Sequence, residues 1–120
     1  MARLLEQARA RRALDAVQAL HADAGGKAEE ITQELKGLPA RIQSCGLGQT
    51  LAFYASKGGH HAKIGAQLAL GVSPTAKDTL TFLNEIMQGD AASYRRATRE
   101  ALALAEWMKR YGAARQRARD

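Results

Sequence analysis

His60 and His61 are the residues of this chain whose type is best suited to chemistry at neutral pH, and Lys57 and Lys63 flank them. Imidazole is the usual acid–base group in that range. Adjacent positions on a helix diverge by about 100°, so the two rings cannot both face one metal ion. No cysteine pair, HExxH or DxD spacing supplies further ligands. A histidine-based ribonuclease could draw on Lys57 as an oxyanion partner, but it needs an acid to orient the imidazole, and none lies near in the sequence. The residues therefore predict no catalytic set, no metal and no cofactor.

The cationic signal is stronger. Between Glu34 and Asp78 there is no acidic residue, yet Lys36, Arg41, Lys57, Lys63 and Lys77 all fall there. Gly58 and Gly59 predict a mobile loop over residues 57–60 whose backbone N–H groups could approach phosphates closely. Phe53 and Tyr54 could stack on bases, but on an apolar helical face they are read as core. Arg95, Arg96 and Arg99 form a second basic group. Glu29, Glu30 and Glu34 are read as a solvated acidic face near a helix N-terminus.

These side chains need a scaffold, and the bulk properties specify its class. The chain has 120 residues and a formal net charge of +6, and its pI is about 9.9. That length suits one domain and buries a normal core without disulfides or structural metals. Cys45 is the only cysteine and is expected to be a buried small hydrophobe. The N-terminal residues lack the apolar run of a signal peptide, and no window is apolar enough to span a bilayer. The expectation is a soluble, cytoplasmic protein without membrane partners. A basic balance points to a polyanion: RNA, DNA or an acidic protein.

Helical periodicity predicts a single all-α domain, residues 1–120, built as a bundle of about six helices. The first helix, over residues 3–21, buries Ala10, Ala13, Leu14, Val17 and Leu20 and points Arg9, Arg11 and Arg12 away. The second, 27–45, carries Ile31, Leu35, Leu38, Ile42 and Cys45; Pro39 either kinks it or starts a second, nearly collinear helix, and the intact apolar phase favours the kink. The third follows Gly46 around Leu47, Leu51 and Tyr54. A short fourth spans 61–70. The fifth starts from Ser73 or Thr75 and buries a stripe of Ala76, Leu80, Leu83 and Met87. Asp90 caps the long C-terminal helix, which carries Tyr94, Ala97, Ala101, Leu104, Met108 and Tyr111 on one face and a Glu106–Arg110 pair on the other. Residues 115–120 are expected to fray.

Two stretches are similar to a known family. LPARIQSCGLGQTLAFYASK, residues 38–57, resembles the signature region of the small helical subunit of the type III-B, or Cmr-type, CRISPR effector complex. DAASYRRATREALALAEWMKRYGAAR, residues 90–115, resembles that family's C-terminal helix, with Tyr94, Glu100, Trp107, Lys109 and Arg110 in the matching pattern. The resemblance implies a non-catalytic subunit that stacks with copies of itself beside the backbone subunit and the large subunit. It implies contacts to guide RNA and target RNA through a basic surface, while base pairing reads the sequence. The RNA-contacting residues expected here are Lys36, Arg41, Lys57 and Lys63, then Arg95, Arg96 and Arg99. Trp107 is a candidate for docking a neighbouring subunit, though core packing suits it better. The main alternative is a small helical DNA-binding protein of helix-turn-helix type. A third reading is a basic interaction protein that meets an acidic partner.

Overall fold

The computed structural model describes residues 2–76 and 78–120, with the side chains of residues 2 and 3 left aside. Six helices follow one another: α1 (Ala2–Ala22), α2 (Ala28–Cys45), α3 (Leu47–Lys57), α4 (Gly59–Val72), α5 (Thr79–Gln88) and α6 (Ala91–Arg119). The all-α architecture with a long C-terminal helix is as the periodicity predicts. The long α6 is the spine: it packs most extensively on α2, then on α1, and also on α4. Among the described residues, no helix is long and apolar enough to cross a membrane.

The core is one cluster drawn from all six helices, with Leu20, Leu35, Leu38, Leu51, Tyr54, Leu68, Leu104 and Met108 at its centre. Burying each such side chain contributes roughly 1.5–3 kcal/mol, which is what holds helices with so few polar cross-links together. Pro39 sits inside α2 without ending it. The apolar phase of Ile31, Leu35, Leu38 and Ile42 continues through the proline, and tertiary packing outweighs the one lost hydrogen bond.

The structure corrects the sequence in several places. Cys45 is exposed, not buried. It has the right helical phase, but it falls in the last turn of α2, where the face opens into a cleft beside Leu83, Met87 and Tyr94. The expected loop over residues 57–60 is a tight corner. Gly58 alone separates α3 from α4, and Gly58 and Gly59 take φ values of 71° and 56° that only glycine adopts without strain. His60 and His61 therefore ride on the first turn of α4.

The fifth helix begins later than expected. Asp78, rather than Ser73 or Thr75, caps it by accepting from the Thr81 N–H at 2.7 Å. Its buried face is also rotated. Phe82 occupies the core while Leu80 and Met87 are 63% and 53% exposed, because the bulkiest apolar side chain takes the inward position. Asp90 caps α6 through the Ser93 N–H, as predicted. Helical structure in α6 extends to Arg119. Lys77 of the acid-free window lies outside the described residues.

Candidate nucleic-acid interface

The corner formed by α2, α3 and α4 is held by one carboxylate. Glu34 Oε1 accepts from the Tyr54 hydroxyl at 2.9 Å and from Arg41 Nη2 at 3.2 Å, and His61 Nε2 lies 3.7 Å from Oε2. Glu34 is thus turned inward and half-buried, not part of a solvated acidic face. The acid that the linear sequence does not place beside His61 arrives from α2, two helices earlier in the chain. Tyr54 is fully buried, and its burial, followed by the Glu34 charge, pushes its hydroxyl well above the ordinary tyrosine range. Burial lowers His60, whose ring centroid is 4.2 Å from that of His61.

This corner engages two of the expected cations. The Arg41 guanidinium lies 4.1 Å from the Phe53 ring centroid, between that ring and Glu34. Its Nε is buried without a hydrogen-bond partner among the described residues. Lys63 Nζ is 2.7 Å from Asp23 Oδ2 and also reaches the Asp23 carbonyl at 3.3 Å, so it ties α4 to the end of α1. Lys57 Nζ lies 5.6 Å from the Phe53 centroid with no carboxylate within 4 Å among the described residues. Lys36 is exposed on α2 and makes no ion pair there either.

The outer face of α6 differs. At about 100° per residue, Arg95, Arg99, Arg110 and Arg117 lie within about 60° of one another and span about 33 Å. The buried residues of the same helix, Ala101, Leu104, Ala105, Met108 and Gly112, lie on the opposite side. All four arginines are exposed, and none forms an ion pair among the described residues. Arg96, beside the row, donates to the Ser93 hydroxyl at 3.1 Å. The expected Glu106–Arg110 ion pair is absent among the described residues; the two side chains instead border a cleft with Trp107. Arg110, expected only as the partner of Glu106 and as part of the family pattern, and Arg117 are not among the RNA contacts the sequence predicts, although the helical phase that links Arg95 to Arg99 extends to both.

Other cations face inward. Arg9 and Arg12, expected to point away from the core, converge on Glu100 at 2.8 and 3.1 Å and clamp α1 to α6. The hydrogen bond from Arg9 is the chief cause of the lowered Glu100 pKa. Among the described residues no three His, Cys, Asp or Glu side chains are placed to hold a metal ion.

Comparison with known proteins follows this geometry. The fold is that of a small all-α CRISPR-associated protein. It superimposes on the X-ray crystal structure of a CRISPR-associated Cmr5 family protein from Thermus thermophilus with a TM-score of 0.78, at 32% identity, covering 91% of this chain and 95% of that one. The family described as CRISPR-associated protein (Cas_Cmr5) matches residues 5–115. The chain is 37% identical over 92 residues to the CRISPR system Cmr subunit Cmr5 of Thermus thermophilus, covering 74% of this chain and 76% of that protein. The chain belongs to the Cmr5 family.

Proposed function

We propose that this protein is a non-catalytic small subunit of a Cmr-type, type III-B CRISPR effector complex, and that it holds RNA by its phosphates along the outer face of α6. Arg95, Arg96, Arg99, Arg110 and Arg117 provide that contact, with Lys36 and Lys57 as a second group. Arg41 and Lys63 contribute less than their place in the acid-free window suggests, because Glu34 and Asp23 already neutralise them. The partners are guide RNA and target RNA, the backbone and large subunits of the complex, and neighbouring copies of this chain.

The observation that carries the RNA reading is the exposed arginine row on α6, which forms no ion pair among the described residues. A row of exposed cations with few polar groups between them suits phosphates, which position a strand without reading its sequence. Membership of the Cmr5 family supports the place in a complex, as does the curated relative's own description as a Cmr subunit.

Native purification from the source cell, with and without ribonuclease, tests this. The expected result is co-purification of larger subunits with a small RNA of defined length, and loss of the RNA from a complex in which Arg95, Arg99 and Arg110 are changed to Gln. A chain that purifies alone, or with duplex DNA in place of RNA, contradicts it.

A further inference from the structure

Trp107 stands where the cationic row of α6 is interrupted. Glu106 occupies the same angular sector as Arg99 and Arg110 and lies between them along the helix, so the charge pattern at that level is plus, minus, plus. A phosphate is disfavoured beside Glu106 and favoured on either side of it. Trp107 is the next residue, on the shoulder of the row. Its side chain is half-buried and stacks on Tyr111 with ring centroids 5.6 Å apart at 27°.

Trp107 borders two clefts. One, of about 320 Å³, is bordered by Glu106, Trp107 and Arg110. The other, of about 230 Å³, is bordered by Trp107 with Glu6, Gln7 and Ala10 of α1. The indole is therefore anchored by Tyr111 and the core, yet borders open space beside the Arg110 guanidinium, which forms no ion pair among the described residues. That is the arrangement of a stacking platform: a fixed aromatic ring, open space beside it, and cations at either side to hold the flanking phosphates.

We infer that Trp107 is a stacking site for a base of single-stranded RNA whose flanking phosphates lie on Arg99 and Arg110. This deepens the proposed function and rests on its RNA-binding face. Trp107 then sets where a base, rather than a phosphate, faces the protein. It tolerates any base, since every base has a π-face.

The chain has one tryptophan, so its tryptophan emission, excited where tyrosine does not absorb, reports this site alone. The full chain is titrated at low salt with a labelled single-stranded RNA oligomer, following oligomer anisotropy and tryptophan emission in parallel. The expected result is quenching that saturates with the anisotropy change. Inorganic polyphosphate, which offers charge without bases, displaces the RNA and restores the emission. Trp107→Ala weakens affinity roughly 5- to 150-fold, and Trp107→Phe, which keeps a ring and the fold, recovers part of that. RNA that binds by anisotropy without quenching, and with equal affinity for wild type and Trp107→Phe, overturns the stacking site and leaves the phosphate face standing. No RNA binding by anisotropy overturns both. Because the wild-type quenching needs no variant, instability of Trp107→Ala does not blunt the test.

Discussion

The α2–α3–α4 corner and the outer face of α6 are both rich in cations, but they differ in what those cations touch. At the corner, Arg41 is held by Glu34 and Phe53, and Lys63 by Asp23. On α6, Arg95, Arg99, Arg110 and Arg117 meet no carboxylate among the described residues. The corner is the longer acid-free run in sequence, yet the acids at its edges, Glu34 above all, fold back onto it. Linear charge density therefore locates basic segments, while helical phase and tertiary pairing decide which charges remain available to a partner.

This contrast predicts a double dissociation between stability and binding. Glu34→Ala leaves the buried Tyr54 hydroxyl and the half-buried Arg41 guanidinium without their acceptor, and it should cost about 2–3 kcal/mol in urea unfolding. The loss is smaller than for a fully buried pair because Arg41 is 33% exposed. An unfolding midpoint indistinguishable from wild type would remove the corner's role as scaffold. The triple change Arg95→Gln, Arg99→Gln, Arg110→Gln should do the reverse. Each change should alter stability by no more than about 0.5 kcal/mol, since these side chains are exposed and form no ion pair among the described residues. Single-strand binding should nonetheless fall steeply. Equal effects of the two variants on both readouts would erase the distinction.

A smaller effect should appear with pH. His21 lies at the end of α1 with both ring nitrogens buried and without a hydrogen-bond partner among the described residues. Burial lowers its pKa, and Arg115 and Arg119 lower it further. The unfolded chain thus binds the proton more readily than the native one. Stability should be flat above the ordinary histidine range and decline as pH falls below about 6.5. His60, also lowered chiefly by burial, adds in the same direction. His21→Leu should flatten part of that decline in urea titrations at about pH 5 and about pH 7.5. An unchanged slope would mean that His21 is not the titrating group.

The smallest effect belongs to the Lys63–Asp23 pair. Its side chains are 48% and 73% exposed, so Asp23→Asn should cost under about 1 kcal/mol, and less in high salt. A loss of several kcal/mol would mark this link as a structural clamp like Arg9–Glu100–Arg12.

Much of the fold was legible because helical periodicity is a local property. The stripes of α2 and α6 and the Asp90 cap stand in the sequence as they stand in the structure. What failed depended on neighbours. Cys45 has the phase of the core but lies where the helix outruns its cover. The α5 stripe was misphased because Phe82, not Leu80, fits the space left by the other helices. The loop at Gly58 became a corner because two left-handed glycines bend the chain within one linking residue. The candidate interface was half legible. Arg95, Arg96 and Arg99 were found as a run, whereas Arg110 and Arg117 needed the helix to be followed to its end. No local signal shows that Glu34 meets Arg41 and His61, since that depends on how α2, α3 and α4 close on one another.

The central claim is that α6, rather than the acid-free corner, carries the RNA-binding charge, and the salt dependence of single-stranded RNA binding tests it most directly. Each phosphate contact contributes roughly 0.7 to the slope of log affinity against log salt. The α6 triple variant should therefore lose about 2 from that slope, and the double change Arg41→Gln, Lys63→Gln should leave it nearly unchanged. A slope that falls with the corner variant and stays intact in the α6 variant would contradict the account.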